Sequence, residues 1–129
     1  MALLDDLSTH LTPLVGVPVQ KGSLQEIPDS VVALRETGGF PSQHVHGRGA
    51  GQAIVDEPTV QVVTRAKDYQ TAMATARTAY GVLDGLRDTV LNGLLYHLVR
   101  ALQPPFFLMR DENHRFLCAF NVHVQRRIT

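Results

Sequence analysis

Apolar residues recur along this chain with two different periods, and each change of period marks an element boundary. Leu3, Leu4, Leu7, Leu11 and Leu14 fall at three- and four-residue steps, with Asp5 and Asp6 at the electropositive start and Pro13 and Gly16 at the close. That spacing predicts an amphipathic helix. Residues 17–28 mix Pro18, Gly22 and Pro28 with polar side chains and read as connection, with a short extended piece near Val19. Val31-Val32-Ala33-Leu34 predicts a strand from Ser30 to Thr37, ended by Gly38-Gly39. From Phe40 to Glu57 the texture changes to Pro41, Gly47, Gly49 and Gly51 among polar residues, which predicts a long flexible loop at about 40–57.

The pattern sharpens after Pro58. Thr59 to Arg65 alternates, with Val60, Val62 and Thr64 on one side and Thr59, Gln61, Val63 and Arg65 on the other. This is the period of a half-buried strand. Asp68 stands where a helix wants a side-chain acceptor, and Tyr69, Ala72, Met73, Ala76, Tyr80 and Leu83 follow at helical steps, predicting a helix to about Leu86. Val90 to Leu102 fits either period. We read it as a strand, punctuated by Arg87-Asp88 and Asn92-Gly93 and ended by Pro104-Pro105. Phe106–Met109 and Phe116–Gln125 are strands joined by the charged turn 110–115, and Phe116, Cys118, Phe120, Val122 and Val124 should face the core.

Composition narrows the class without naming a chemistry. The 129 residues, 44% of them apolar, suit one α+β domain over 1–129 that buries a core without metal or disulfide staples. Twelve Lys and Arg balance twelve Asp and Glu, so no overall field draws the chain to nucleic acid or an anionic membrane. The single cysteine, Cys118, lies in an apolar run and reads as a buried structural thiol in a cytosolic, soluble protein. No apolar run approaches the ~18 residues of a membrane-spanning helix.

Candidate chemistry is sparse. His44 and His46 put two imidazoles on one side of an extended segment, but two ligands do not make a metal site, and a solvated loop is the alternative. Gly47-Arg48-Gly49-Ala50-Gly51 lacks the Lys-Ser/Thr pair and the following helix of a phosphate loop. Arg126-Arg127, with Arg110 and Arg115, would make a basic spot if the fold gathered them. No nucleophile-base grouping, paired-carboxylate motif or dinucleotide fingerprint is present, so neither enzyme activity nor a cofactor is expected.

The succession of elements resembles the tail terminator and minor capsid proteins of long-tailed bacteriophages, also described as tail completion or head-to-tail joining proteins. The resemblance rests on the Pro58–Arg65 strand, the Asp68-Tyr69 helix start, the spacing of Ala72, Ala76, Tyr80, Leu83 and Gly85, then Pro105, Asp111, Arg115 and Phe120-Asn121-Val122. It spans roughly Leu3 to Arg127. It implies a twisted, mostly antiparallel sheet of four to five strands with two helices on one face. It also implies a structural virion protein at the tail-neck junction, assembled in the host cytoplasm. That protein would form a six-membered ring that caps the tail tube, stops its polymerisation, joins a head-completion or connector protein and lets genomic DNA pass unread. Interface candidates are then His44, His46, Arg48, Arg110, Asp111, Glu112, Arg115, Arg126 and Arg127, and Arg110→Glu with Arg115→Glu should leave the monomer folded. A small ligand- or metal-binding α+β domain and a dimeric protein-interaction adaptor are the rival readings.

Overall fold

Alternation and helical spacing do build the two kinds of element expected. The computed structural model describes residues 3–44 and 53–127. In chain order these form α1 (Leu3–Val15), β1 (Val19–Lys21), β2 (Val31–His44), β3 (Ala53–Ala66), α2 (Tyr69–Leu83), β4 (Leu86–Leu91), β5 (Leu94–Ala101), β6 (Phe106–Arg110) and β7 (Phe116–Arg127). The sheet runs β1-β2-β3-β7-β5-β4, and β6 also pairs with β7. β1 lies parallel to β2, and every other pairing is antiparallel. The class is α+β as expected, but the sheet has seven strands where four to five were expected.

Both helices cover the same face of the sheet. Val32, Leu34, Val60, Val62, Phe120, Val122 and Val124 meet Leu3, Leu7 and Leu11 of α1 and Ala79 and Leu83 of α2 in the main core. Burying each leucine stabilises the fold by about 1.5–3 kcal/mol. On α2 the buried stripe is Ala72, Ala76, Ala79 and Leu83, while Met73 and Tyr80 are only partly covered. Alanines let the helix sit close to the sheet, close enough for the buried Thr64 hydroxyl to donate to the Ala72 carbonyl at 2.8 Å. Cys118 lies under Ala72 and Ala76, and burial pushes its thiol pKa up.

The ends of the helices follow local chemistry. Asp68 takes extended backbone angles and accepts from the Thr71 N–H at 2.7 Å, capping α2. The helix stops three residues before the expected Leu86, where Asp84 caps it and Gly85 adopts φ +85. In α1, Pro13 lacks the N–H of an i→i−4 bond, and past it Val15 packs on the core while Leu14 is 53% exposed.

Two sequence expectations give way to pairing. Gly38-Gly39 does not end β2; it forms a register shift, and the strand continues to His44 opposite Ala53. Residues 40–44 and 53–57, expected as loop, are therefore strand, while 45–52 lie outside the described residues. A Cβ on Gly39 would sit 2.5 Å from the Glu57 carbonyl oxygen, so only glycine lets the two strands approach there. Likewise, Asn92 (φ 51) and Gly93 (φ 83) form a tight hairpin turn, splitting the expected single strand into β4 and β5 and adding Leu86–Leu91 to the sheet.

Curling of the sheet depends on α1, which touches β1 and β2 at one margin and β4 at the other. Neighbouring carboxylates make the tie. Asp5 binds Lys21 Nζ of β1 at 2.6 Å, whereas Asp6 accepts from Asn92 Nδ2 at 2.8 Å and from the Tyr96 hydroxyl at 2.5 Å. Asp6 is 1% exposed, so its burial is tolerable only with those donors in place. Burial, then the Asp6 hydrogen bond, raises the Tyr96 phenol well above its ordinary pKa.

Leu7→Ala should lower the unfolding free energy by about 2–5 kcal/mol, read as an earlier urea midpoint at unchanged slope. Tyr96→Phe, which leaves the buried Asp6 short of a donor, should cost about 1–3 kcal/mol in the same assay.

Candidate assembly surfaces

Asp111 organises the β6–β7 turn. Its carboxylate accepts from the backbone N–H of Asn113 at 3.0 Å and of Arg115 at 2.9 Å, and from Arg115 Nε at 2.8 Å. Its own N–H donates to the Arg115 carbonyl at 2.9 Å, closing the turn around His114 at φ 61. Burial would raise the Asp111 pKa, but the hydrogen bonds from Arg115 outweigh it and hold the carboxyl below the ordinary range.

Arg115 is not a surface charge. It is 4% exposed, and beyond Asp111 it reaches the Glu26 carbonyl at 2.5 Å, Asp29 Oδ1 at 3.3 Å and Glu26 Oε2 at 3.3 Å. Arg65, 3% exposed, works beside it, donating to the carbonyls of Pro28 at 2.6 Å and Asp29 at 3.2 Å. Burial and then the nearby Arg115 charge lower the Arg65 pKa, and the acidic groups Asp111, Glu26 and Asp29 oppose that shift. Together the two guanidiniums clamp residues 26–29 onto the sheet face away from the helices. Arg115→Glu should therefore destabilise the monomer rather than leave it folded: a buried carboxylate would face those of Asp111, Asp29 and Glu26 in place of the guanidinium that all three share.

The remaining sequence candidates scatter. Arg110 is exposed, with its guanidinium carbon 4.6 Å from the centre of the Phe116 ring, and Glu112 is exposed in the turn. Arg126 binds Asp56 at 3.1 Å near the opposite end of β7, and Arg127 is the last residue of that strand. Eleven residues of strand separate Phe116 from Arg127, about 37 Å, so the arginines do not gather into one basic spot. His44 ends β2, whereas His46 and Arg48 lie outside the described residues. Among the described residues there is no cluster of three or more metal-ligating side chains.

Two surfaces stand out that residue classes alone did not reveal. On the face away from the helices, Leu24, Ala33, Val63, Leu108, Met109 and Leu117 line an apolar groove of about 160 Å³. At the sheet margin, Phe107, Leu108 and Met109 of β6 are 46%, 38% and 50% exposed, and Tyr69 (44%) packs its ring 6.0 Å from Phe107. The buried charges Asp6 and Arg65, and the more exposed carboxylates Glu26 and Asp29 that Arg115 binds, were also missed. Asp6 had a signal, because it sits three residues after Leu3 and one before Leu7, on the apolar stripe.

Asp68, through the hydrogen bonds from Thr71, and Asp111 both titrate below the ordinary carboxylate range. The unfolded chain therefore takes up protons first as pH falls. The stability these groups contribute is complete above about pH 4 and is lost on acidification through their folded values. The thermal midpoint of Asp68→Asn/Asp111→Asn should accordingly change less between pH 5 and pH 2 than that of the wild-type chain.

The profile of the family described as bacteriophage tail terminator protein matches residues 11–128. Among curated proteins no sequence matches the chain. Among solved structures, a chain from "Virion of native gene transfer agent (GTA) particle" superposes with a TM-score of 0.61 at 19% identity, covering 98% of this chain and 95% of that one. At that identity the likeness speaks for the fold alone. The family match spans nearly the whole sheet and α2, and on it the chain belongs to the bacteriophage tail terminator family, a family of structural tail proteins.

Proposed function

We propose that this protein closes into a homomeric, six-membered ring at the head-proximal end of the tail tube. There it ends tube polymerisation and joins the tail to the connector of the neck. The observation that carries this reading is the family match over residues 11–128, borne by a sheet whose two faces differ. One face is sealed by α1 and α2, and the other carries the apolar groove of Leu24, Val63, Met109 and Leu117. A ring of such subunits has unlike top and bottom surfaces. One can match the tube while the other refuses a further tube ring, so growth stops by shape. The balance of twelve cations and twelve anions suits a lumen through which DNA passes without being held. The exposed Arg110 and Glu112 are contacts for neighbouring virion proteins on this reading, together with Arg127.

Purified protein should reach a mass about six times its 14.2 kDa, alone or on tail tubes, and show rings by negative-stain microscopy. Tubes assembled without it should grow past their normal length. A stable monomer or dimer that leaves tube length unchanged would overturn the proposal.

A further inference from the structure

A sheet margin with unpaired N–H and C=O groups invites another strand, and folded proteins usually blunt such margins with charge, bulges or brevity. Two margins here are blunted in that way. β4 carries exposed Arg87 and Asp88, and Asp88, at φ 48, drops out of the pairing register. β1 is only three residues long. β6 is different: one edge is bonded to β7, the other meets no described strand, and Phe107, Leu108 and Met109 stand exposed along it.

A matching open edge exists at the other margin. β1 covers β2 only at Val32–Leu34, and from Arg35 onward that edge meets no described strand. Residues 35–39 are all exposed. The two edges carry opposite charge on the same side of the sheet. Glu36 pairs with Val60 and Arg110 with Phe116, and both partners belong to the helix-covered face. Laid antiparallel with Glu36 opposite Arg110, β2 brings Gly38 and Gly39 toward Leu108 and Phe107, where absent side chains leave room for the exposed ring.

From these observations we infer that β6 of one copy receives β2 of the next, joined by an Arg110–Glu36 ion pair and by burial of Phe107, Leu108 and Met109. The contact unites unlike edges at opposite margins, so it is heterologous and closes into a ring when the rotation divides a full turn. The inference rests on the ring reading above and names the surface that makes the ring.

Sedimentation of wild type, Glu36→Arg, Arg110→Glu and the doubly exchanged chain tests it. Each single exchange places like charges face to face and should weaken self-association about tenfold or more, while the double exchange should restore it. Leu108→Lys should yield a folded monomer by circular dichroism. If that variant does not fold, a Thr37→Cys/Met109→Cys chain, whose two positions face each other in this register, should give a disulfide ladder up to the full ring on mild oxidation, which neither single cysteine gives. A wild-type ring that survives every exchange and gives no ladder overturns this contact and leaves the ring reading intact. A wild-type chain that stays monomeric at all concentrations, with tail tubes present as well as alone, and yields no ladder overturns both.

Discussion

The backbone of β7 has to be satisfied on both edges deep inside the protein, and that requirement organises the fold. One edge pairs with β3 along almost its whole length, from Ala66 opposite Phe116 to Val55 opposite Arg127. The other edge is shared: β6 takes Phe116–Ala119 and β5 takes Val122–Arg126. At the handover neither strand reaches Asn121, whose N–H donates instead to Gln103 Oε1 at 3.0 Å, while its carbonyl accepts from Leu102. An unpaired buried amide costs about 1–3 kcal/mol, so the Leu102–Pro105 link is held to a path that supplies these partners.

From this spine the two faces acquire different chemistry. Even-numbered residues of β7 meet alanines and leucines from the helices, a contact of shape and volume. Odd-numbered residues meet a thinner cover, in which Leu117 and Ala119 pack with Val63, Leu24 and Phe106. That cover is pinned by Arg65 and Arg115 rather than by apolar bulk. Two buried cations side by side are tolerable because carboxylates and carbonyls of residues 26–29 and Asp111 surround them. The β6–β7 turn is thus rigid at its base, and its exposed apolar strand is presented from a fixed platform, as a surface for assembly requires.

Asp6 plays the corresponding part at the other end. A carboxylate on the apolar stripe of α1 reaches across to Asn92 and Tyr96, and its neighbour Asp5 reaches back to Lys21. The helix thereby holds opposite margins of the sheet and sets its curl, which in turn fixes how the open edges of β2 and β6 are aimed.

Local rules were legible in the sequence. The Asp68 cap, the two helices, the alternation of Thr59–Arg65 and of β7, and the buried Cys118 each depend on residues within about four positions of one another, and periodicity reports that directly. Continuation of β2 through Gly38-Gly39, the division of β4 from β5 and the parallel β1 needed the pairing partners themselves. So did the roles of Asp6, Arg65 and Arg115, whose contacts with Asn92 and Tyr96 or with residues 26–29 lie some 30 to 90 residues away in the chain. The residue Arg115 looked like a solvated turn charge because a charge beside a turn usually is one. Only the tertiary structure, by folding residues 26–29 over it, made it part of the interior.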